Sequence, residues 1–348
     1  MTDLPVVTGP SEWRHPDAEW ILQTRKALDY WSSRCPTSPT SSVLGSGAIA
    51  AAEQAFSMLH GGRPALLLPS ATYALRVGLQ VAGVQPGDEV LCAGIDWPAS
   101  LAAIRSLGAS PVCVVVSPET LTIDPAAAVR ARTDKTRALV ACHLHGICAD
   151  IPLLRRAVPG VVIIEDAAQA FRSRLDKRLA GTLGDIAVMS LGPGKHIDAG
   201  EGGVLLFADR DTRDAAVAVA CHPLRQMLDG VVGSGDDGLV IRPHPMTAVL
   251  ALYALSKWPS QTAGSQRELR RLLAADKAIR PLGDAERHES SQSHIPVLVP
   301  EDSAYPAPAG VRWVQSGAQV LPCISAAERV SASRLLSGVR LAAQEHAG

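Results

Sequence analysis

Residues 161–169 read VVIIEDAAQ: four β-branched apolar residues without polar alternation, then two carboxylates, two alanines and a glutamine. A strand with one wet face alternates, whereas an unbroken apolar run suits a strand covered on both faces of a parallel sheet. Comparable runs lie at 64–68, 89–93, 111–116, 138–142, 186–190 and 203–207. Between several of them, 72–82, 98–107, 125–132 and 150–157 are rich in Ala and Leu at helical spacing. This alternation predicts an α/β sandwich, a seven-stranded, mostly parallel sheet flanked by helices. Further on, 244–256 reads as a long apolar helix, 283–293 as an exposed loop, 295–299 as a short strand, and the chain from about 325 as a terminal helix. The Ser/Pro-rich SSRCPTSPTSS (32–42) reads as an irregular loop. The expected division is an N-terminal arm and large α/β domain over 1–243, then a linking helix and small α+β domain over 244–348.

Composition narrows the function classes. Lys+Arg 33 against Asp+Glu 34 leaves a net charge of -1 over 348 residues, and no basic stripe stands out, so nucleic acid is not an expected partner. Seven cysteines, odd in number and scattered through apolar runs, predict reduced thiols in a cytoplasm rather than a disulfide framework. The start, MTDLPVVTGPSEWRHPDAEW, has neither the basic head nor the apolar core of a signal peptide. The most apolar helical stretch, MTAVLALYAL from 246, is too short to span a bilayer, so no membrane partner is expected.

Ligands of parallel sheets gather at the carboxyl ends of the strands. The run 161–164 empties into Asp166 and Gln169, the run 186–190 ends at Ser190 and leads to Lys195, and the run 64–68 ends in PSAT, which opens a helix at Ser70 to Thr72. Hydroxyls and free N–H groups at a helix start form an anion site suited to phosphate. A lysine, a carboxylate and a phosphate cradle are the parts needed to hold pyridoxal 5'-phosphate (PLP). Lys195 lies in SLGPGKHIDAGEGG (190–203), where small residues let the chain bend closely around a planar ring. The stretch lacks the G-x-x-x-x-G-K-[ST] spacing of a nucleotide phosphate loop. CHLHGIC (142–148) matches no common zinc spacing, and no metal is expected. Taken singly, Trp97 could be core, Asp166 a cap for a helix beginning at AAQAF, and Lys195 a surface lysine.

In register, these motifs resemble the DegT/DnrJ/StrS group of fold-type I PLP-dependent aminotransferases, over about two thirds of the chain. SATYAL (70–75), GDEV (87–90), DWPAS (96–100), HLHGICAD (143–150), EDAAQ (165–169), SLGPGK (190–195) and GEGG (200–203) stand in the family's order. The resemblance implies that Lys195 is the Schiff-base lysine and proton shuttle. It places Asp166 on the pyridinium nitrogen, Gln169 against the phenolic oxygen and Trp97 over the ring face. Ala71, Thr72 and Ser190 would hold the phosphate. It further implies a ping-pong transfer from an amino donor, Glu or Gln, to a keto sugar or other small cyclic ketone, in a homodimer with shared sites. The chain departs from the family at Ile147, where Gln is common, and at Pro243 and Pro245, which fall where an Asn and an Arg of the N-x-R-M motif are expected. Arg242 is the candidate replacement for the phosphate contact across the dimer. These departures leave open other PLP chemistry (elimination, decarboxylation or carbon–carbon bond formation) and a non-catalytic partner role.

Overall fold

The structure, a computed structural model, describes residues 17–34, 43–231, 239–258, 280–281, 287–289, 294–298, 312–316 and 319–325. Its centre is a seven-stranded sheet made from the seven apolar runs. The strands are β1 (Ala65–Leu68), β2 (Glu89–Ala93), β3 (Ser110–Val114), β4 (Thr136–Cys142), β5 (Val162–Asp166), β8 (Ile186–Ser190) and β9 (Gly203–Phe207). They lie in the order β1-β9-β8-β5-β4-β2-β3. The neighbours β3, β2, β4, β5 and β8 pair in parallel, while β9 runs antiparallel to both β8 and β1.

The missing polar alternation has a direct cause. Leu67, Leu91, Leu139, Ala141 and Ile163 point into one buried cluster, and their neighbours Leu66, Leu68, Val90, Val140 and Ile164 point into another. Helices α3 (Ala71–Val81), α4 (Ala99–Arg105) and α7 (Arg210–Ala220) cover the second face. The first is covered by α1 (Asp17–Arg34), α2 (Ala48–Leu59), α5 (Pro125–Ala131), α6 (Ile151–Ala157) and α9 (245–258). Side chains of alternate parity thus enter two cores, so neither parity can be polar. Burial of Ala248, Val249 and Ala251 fixes α9 against the first face, and Tyr253 meets Tyr30 of α1 edge to face at 5.9 Å. Between α7 and α9 lies the short α8 (Pro223–Leu228).

The C-terminal region shows a four-stranded sheet in the order β10 (Arg280–Pro281), β12 (His294–Leu298), β14 (Gln319–Ser325), β13 (Arg312–Ser316). The terminal helix expected from about 325 lies outside the described residues. Two loop expectations need correction. Ser32–Arg34 of the Ser/Pro-rich stretch finish α1, with the Ser32 and Ser33 hydroxyls donating to the Asp29 and Tyr30 carbonyls, and 35–42 lie outside the described residues. Within 283–293, β11 (His288–Glu289) pairs with β6 (Arg174–Leu175), which forms a hairpin with β7 (Arg178–Leu179). Polar composition misleads there because the charges meet protein partners as well as water. Arg287 bonds both oxygens of Asp176, at 3.0 and 2.8 Å, and reaches Asp150 at 2.8 Å. His288 Nε2 pairs with the Cys148 carbonyl at 3.1 Å.

Candidate active site

One edge of the sheet collects the chemistry. Asp166 ends β5, Cys142 ends β4, Ser190 ends β8, and Asp96 follows β2. Because β9 runs the other way, its first residue, Gly203, starts at the same edge, opposite both Ser190 and Leu68. The α3 N-terminus adjoins it, with the Ser70 hydroxyl capping the Tyr73 N–H at 3.3 Å. A Cβ on Gly203 would fall 2.5 Å from the Ser70 carbonyl and 2.6 Å from the Ala71 nitrogen. Only glycine lets the strand start come so close to the helix start. Ala71 and Thr72 are the first residues of α3, and Ser190 lies across from Gly203, so helix N–H groups and hydroxyls share one corner, an arrangement suited to an anion.

Lys195 is half-buried in the turn between β8 and β9. That turn is braced from within. Asp198 accepts from the Gly194 and Gly200 N–H groups, each at 2.9 Å, Lys195 N donates to Gly192 O at 3.2 Å, and Leu191 N donates to Gly202 O at 2.9 Å. Gly202, at φ 147, packs so tightly that a Cβ would lie 2.7 Å from Thr247 of α9. Gly202 and Gly203 therefore serve close approach, whereas Gly194 and Gly200, at φ 73 and 80 with nothing within 4 Å of a Cβ, let the chain bend.

The Asp166 carboxyl is 5% exposed. Burial raises its pKa to about 6, and the nearby Asp96 pushes the same way, while the Ala168 N–H, Lys195 and His143 pull it down. Asp166 Oδ1 accepts from Ala168 N at 3.0 Å, leaving Oδ2 available. No helix follows Asp166; residues 167–173 form turns, so the capping alternative has no helix to cap. Trp97 is 62% exposed, which removes the core alternative. Gln169 is half-buried, and its Oε1 accepts from the His145 N–H at 3.0 Å, directing its amide donors elsewhere. His145 sits at φ 53, a left-handed conformation held in part by that contact.

Glu165 and His143 belong to motifs quoted above, yet sequence reasoning gave them no role. His143 Nδ1 accepts from Ala149 N at 3.0 Å, so the ring proton sits on Nε2, which donates to Glu165 at 2.8 Å, and both side chains are fully buried. Glu165 also accepts from the N–H groups of Gly181 and Leu183, at 2.8 and 2.6 Å, and of Gly184. Burial pushes its pKa up, but His143 and the Gly184 and Gly181 N–H groups outweigh it, so the carboxyl stays below its ordinary value. Such a group contributes stability above its unfolded pKa, and the contribution fades as pH falls through the lower folded value. His143 N also donates to Asp166 O at 2.9 Å, so the knot fixes the backbone on which Asp166 stands. Glu165→Gln turns one acceptor into a donor facing donors. It should cost about 3 kcal/mol or more by urea unfolding; an unchanged midpoint would refute the knot.

Asp166, the turn carrying Lys195 and the start of α3 therefore stand at the same end of the sheet. The model of the DegT/DnrJ/EryC1/StrS aminotransferase family matches residues 41–308. The chain belongs to this family. Among curated relatives, 3-amino-5-hydroxybenzoate synthase of Amycolatopsis mediterranei is 31% identical over 274 residues, 74% of this chain and 69% of the relative. L-glutamine:2-deoxy-scyllo-inosose aminotransferase of Micromonospora echinospora is 37% identical over 176 residues, 49% of this chain and 40% of the relative. Among solved structures, DesV of S. venezuelae with a ketimine intermediate has a TM-score of 0.71 at 25% identity, covering 93% of this chain and 95% of that one. DegT/DnrJ/EryC1/StrS aminotransferases are PLP-dependent enzymes, and the corner at Gly203 and the buried Asp166 fit that cofactor. Among the described residues, no helix is long and apolar enough to cross a membrane.

Proposed function

We propose that this chain is a PLP-dependent aminotransferase that moves an amino group from glutamine or glutamate to a keto sugar or related cyclic ketone in a ping-pong cycle. The observation that carries the reading is the convergence of Asp166, Lys195 and the α3 start on one sheet edge. The named acceptors of relatives, an inosose among them, point to the substrate class. When bound, PLP supplies an electron sink that lets the donor's α-proton leave.

This chain's residues do the rest. Ala71, Thr72 and Ser190 bind the phosphate through N–H groups and hydroxyls. Asp166 holds a proton on the ring nitrogen, because an ionised carboxylate in a dry site favours a cation beside it. Gln169 orients the phenolic oxygen with its amide. Lys195 anchors the cofactor through its amine and moves the proton between the donor's α-carbon and the cofactor carbon that receives the nitrogen. Trp97 covers the ring and excludes water. We place the boundary between the large domain and the linking helix with its small domain at 243/244, and the enzyme in the cytoplasm.

A homodimer completes the site in this reading. Arg242, exposed beside Pro243, extends from one chain toward the phosphate corner of its partner, where a guanidinium fork matches phosphate oxygens. Mixing inactive Lys195→Ala chains with inactive Arg242→Ala chains should restore part of the activity. Mixed dimers without recovery would show that Arg242 does not act across the interface.

The reaction itself is tested by half-reactions. Glutamine or glutamate should bleach the yellow protein, and a keto sugar should restore the colour. Release of carbon dioxide or an elimination product, without amino transfer, would overturn the assignment. Trp97→Ala should weaken PLP binding by about 1–3 kcal/mol, the worth of a buried aromatic contact. An unchanged PLP Kd would mean that another residue covers the ring.

A further inference from the structure

Asp96 opens the DWPAS motif, and nothing above uses it. Its carboxylate is the meeting point of two donors and a thiol. Oδ1 accepts from Trp97 N at 2.6 Å, Oδ2 accepts from Ser100 Oγ at 2.7 Å, and Cys142 Sγ stands within 4.8 Å. Cys142 lies in register with Asp166 on the adjacent parallel strand. A side-chain atom from each of Asp96, Cys142 and Asp166 lies within 4.8 Å of the other two. The cluster therefore joins the turn that carries Trp97 to the carboxylate that ends β5.

We propose that Asp96 is a positioning residue of the cofactor pocket: it holds the Trp97 turn to Asp166 through Cys142 and adds a second negative charge beside the ring nitrogen. This rests on the PLP reading above. The ionisable groups facing the cluster are Asp166 on β5, Lys195 on the β8–β9 turn and, just beyond β4, the His143 ring. Two carboxyls this close repel each other without a cation between them. Burial, with Asp96 and Asp166 adding to it, also holds the Cys142 thiol protonated. A pyridinium relieves the repulsion. Asp96 thereby favours the protonated ring, and its hydrogen bond to Trp97 N sets where the indole begins.

The test uses the full chain, stripped of cofactor and titrated with PLP labelled with 15N in the ring. Asp96→Asn keeps the shape and removes the charge. Its PLP Kd should rise tenfold or more, and the 15N shift should show the ring nitrogen losing its proton at lower pH than in the wild type. Equal Kd and equal 15N titration would overturn the proposal. Should Asp96→Asn fail to fold, Cys142 provides the second measurement. Cys142→Ser keeps a donor to Asp96 and should bind PLP within threefold of wild type, whereas Cys142→Val deletes the link and should bind at least fivefold more weakly. Equal Kd values for the two would also overturn it. A wild-type chain that binds no PLP would instead defeat the functional reading itself.

Discussion

Lys195→Ala should yield a folded protein that borohydride cannot join covalently to PLP and whose turnover falls by about 10⁴-fold or more. In the proposed cycle the amine has two tasks, anchoring the cofactor and carrying the proton, and positioned proton transfer alone is commonly worth 10²–10⁴-fold. The fold should survive because the turn is braced by backbone bonds and by Asp198, none of which involves the lysine side chain. Far-UV circular dichroism and urea unfolding should match the wild type. Mass spectrometry after borohydride should find the cofactor on the tryptic peptide containing Lys195 in the wild type and nowhere in the variant. A variant chain that is still labelled would place the anchoring amine elsewhere.

The sheet was legible because its physics is local in sequence. A strand buried on both faces must be apolar throughout, and each of the seven runs became one of its strands. The positions of Asp166, Ser190 and Lys195 at one end of the sheet could be read for a related reason: they end or follow such runs, and a strand's carboxyl end is a fixed place in the fold. What escaped depends on neighbours far apart in the chain. Gly203 reads as part of a turn until β9 is seen to start against Ser70, more than a hundred residues earlier. Glu165 reads as one more acidic residue until His143 and three backbone N–H groups are found around it. Asp96 could be noticed only as the first residue of a motif, because Cys142 and Asp166 lie on other strands. Within 283–293, the strand at His288–Glu289 escaped the loop reading for the same reason: composition records charge, but not that Arg287 finds Asp176 and Asp150.

Asp166→Asn should separate activity from stability. In the proposed site the ionised carboxylate holds the proton on the ring nitrogen, and a neutral amide would not, so turnover should fall by roughly 10²–10³-fold, the usual loss on removing a preorganised electrostatic partner. Stability of the cofactor-free protein should move the other way. The Asp166 pKa stands at about 6 against an ordinary 3.8, raised chiefly by burial. A carboxyl with a raised folded pKa contributes its stability fully below the unfolded value and loses it as pH climbs through the folded one. At pH 8 the wild-type chain therefore carries a buried charge at a cost on the order of 2–3 kcal/mol, which the amide avoids. The cofactor-free variant should melt above the wild type at pH 8, and the two should converge near pH 4. With PLP bound the order at pH 8 should shrink or reverse, because only the carboxylate gains a pyridinium partner. Were Asp166 merely a turn-forming residue, the amide would accept the Ala168 N–H equally well, and neither the loss of turnover nor the reversal on binding PLP would appear.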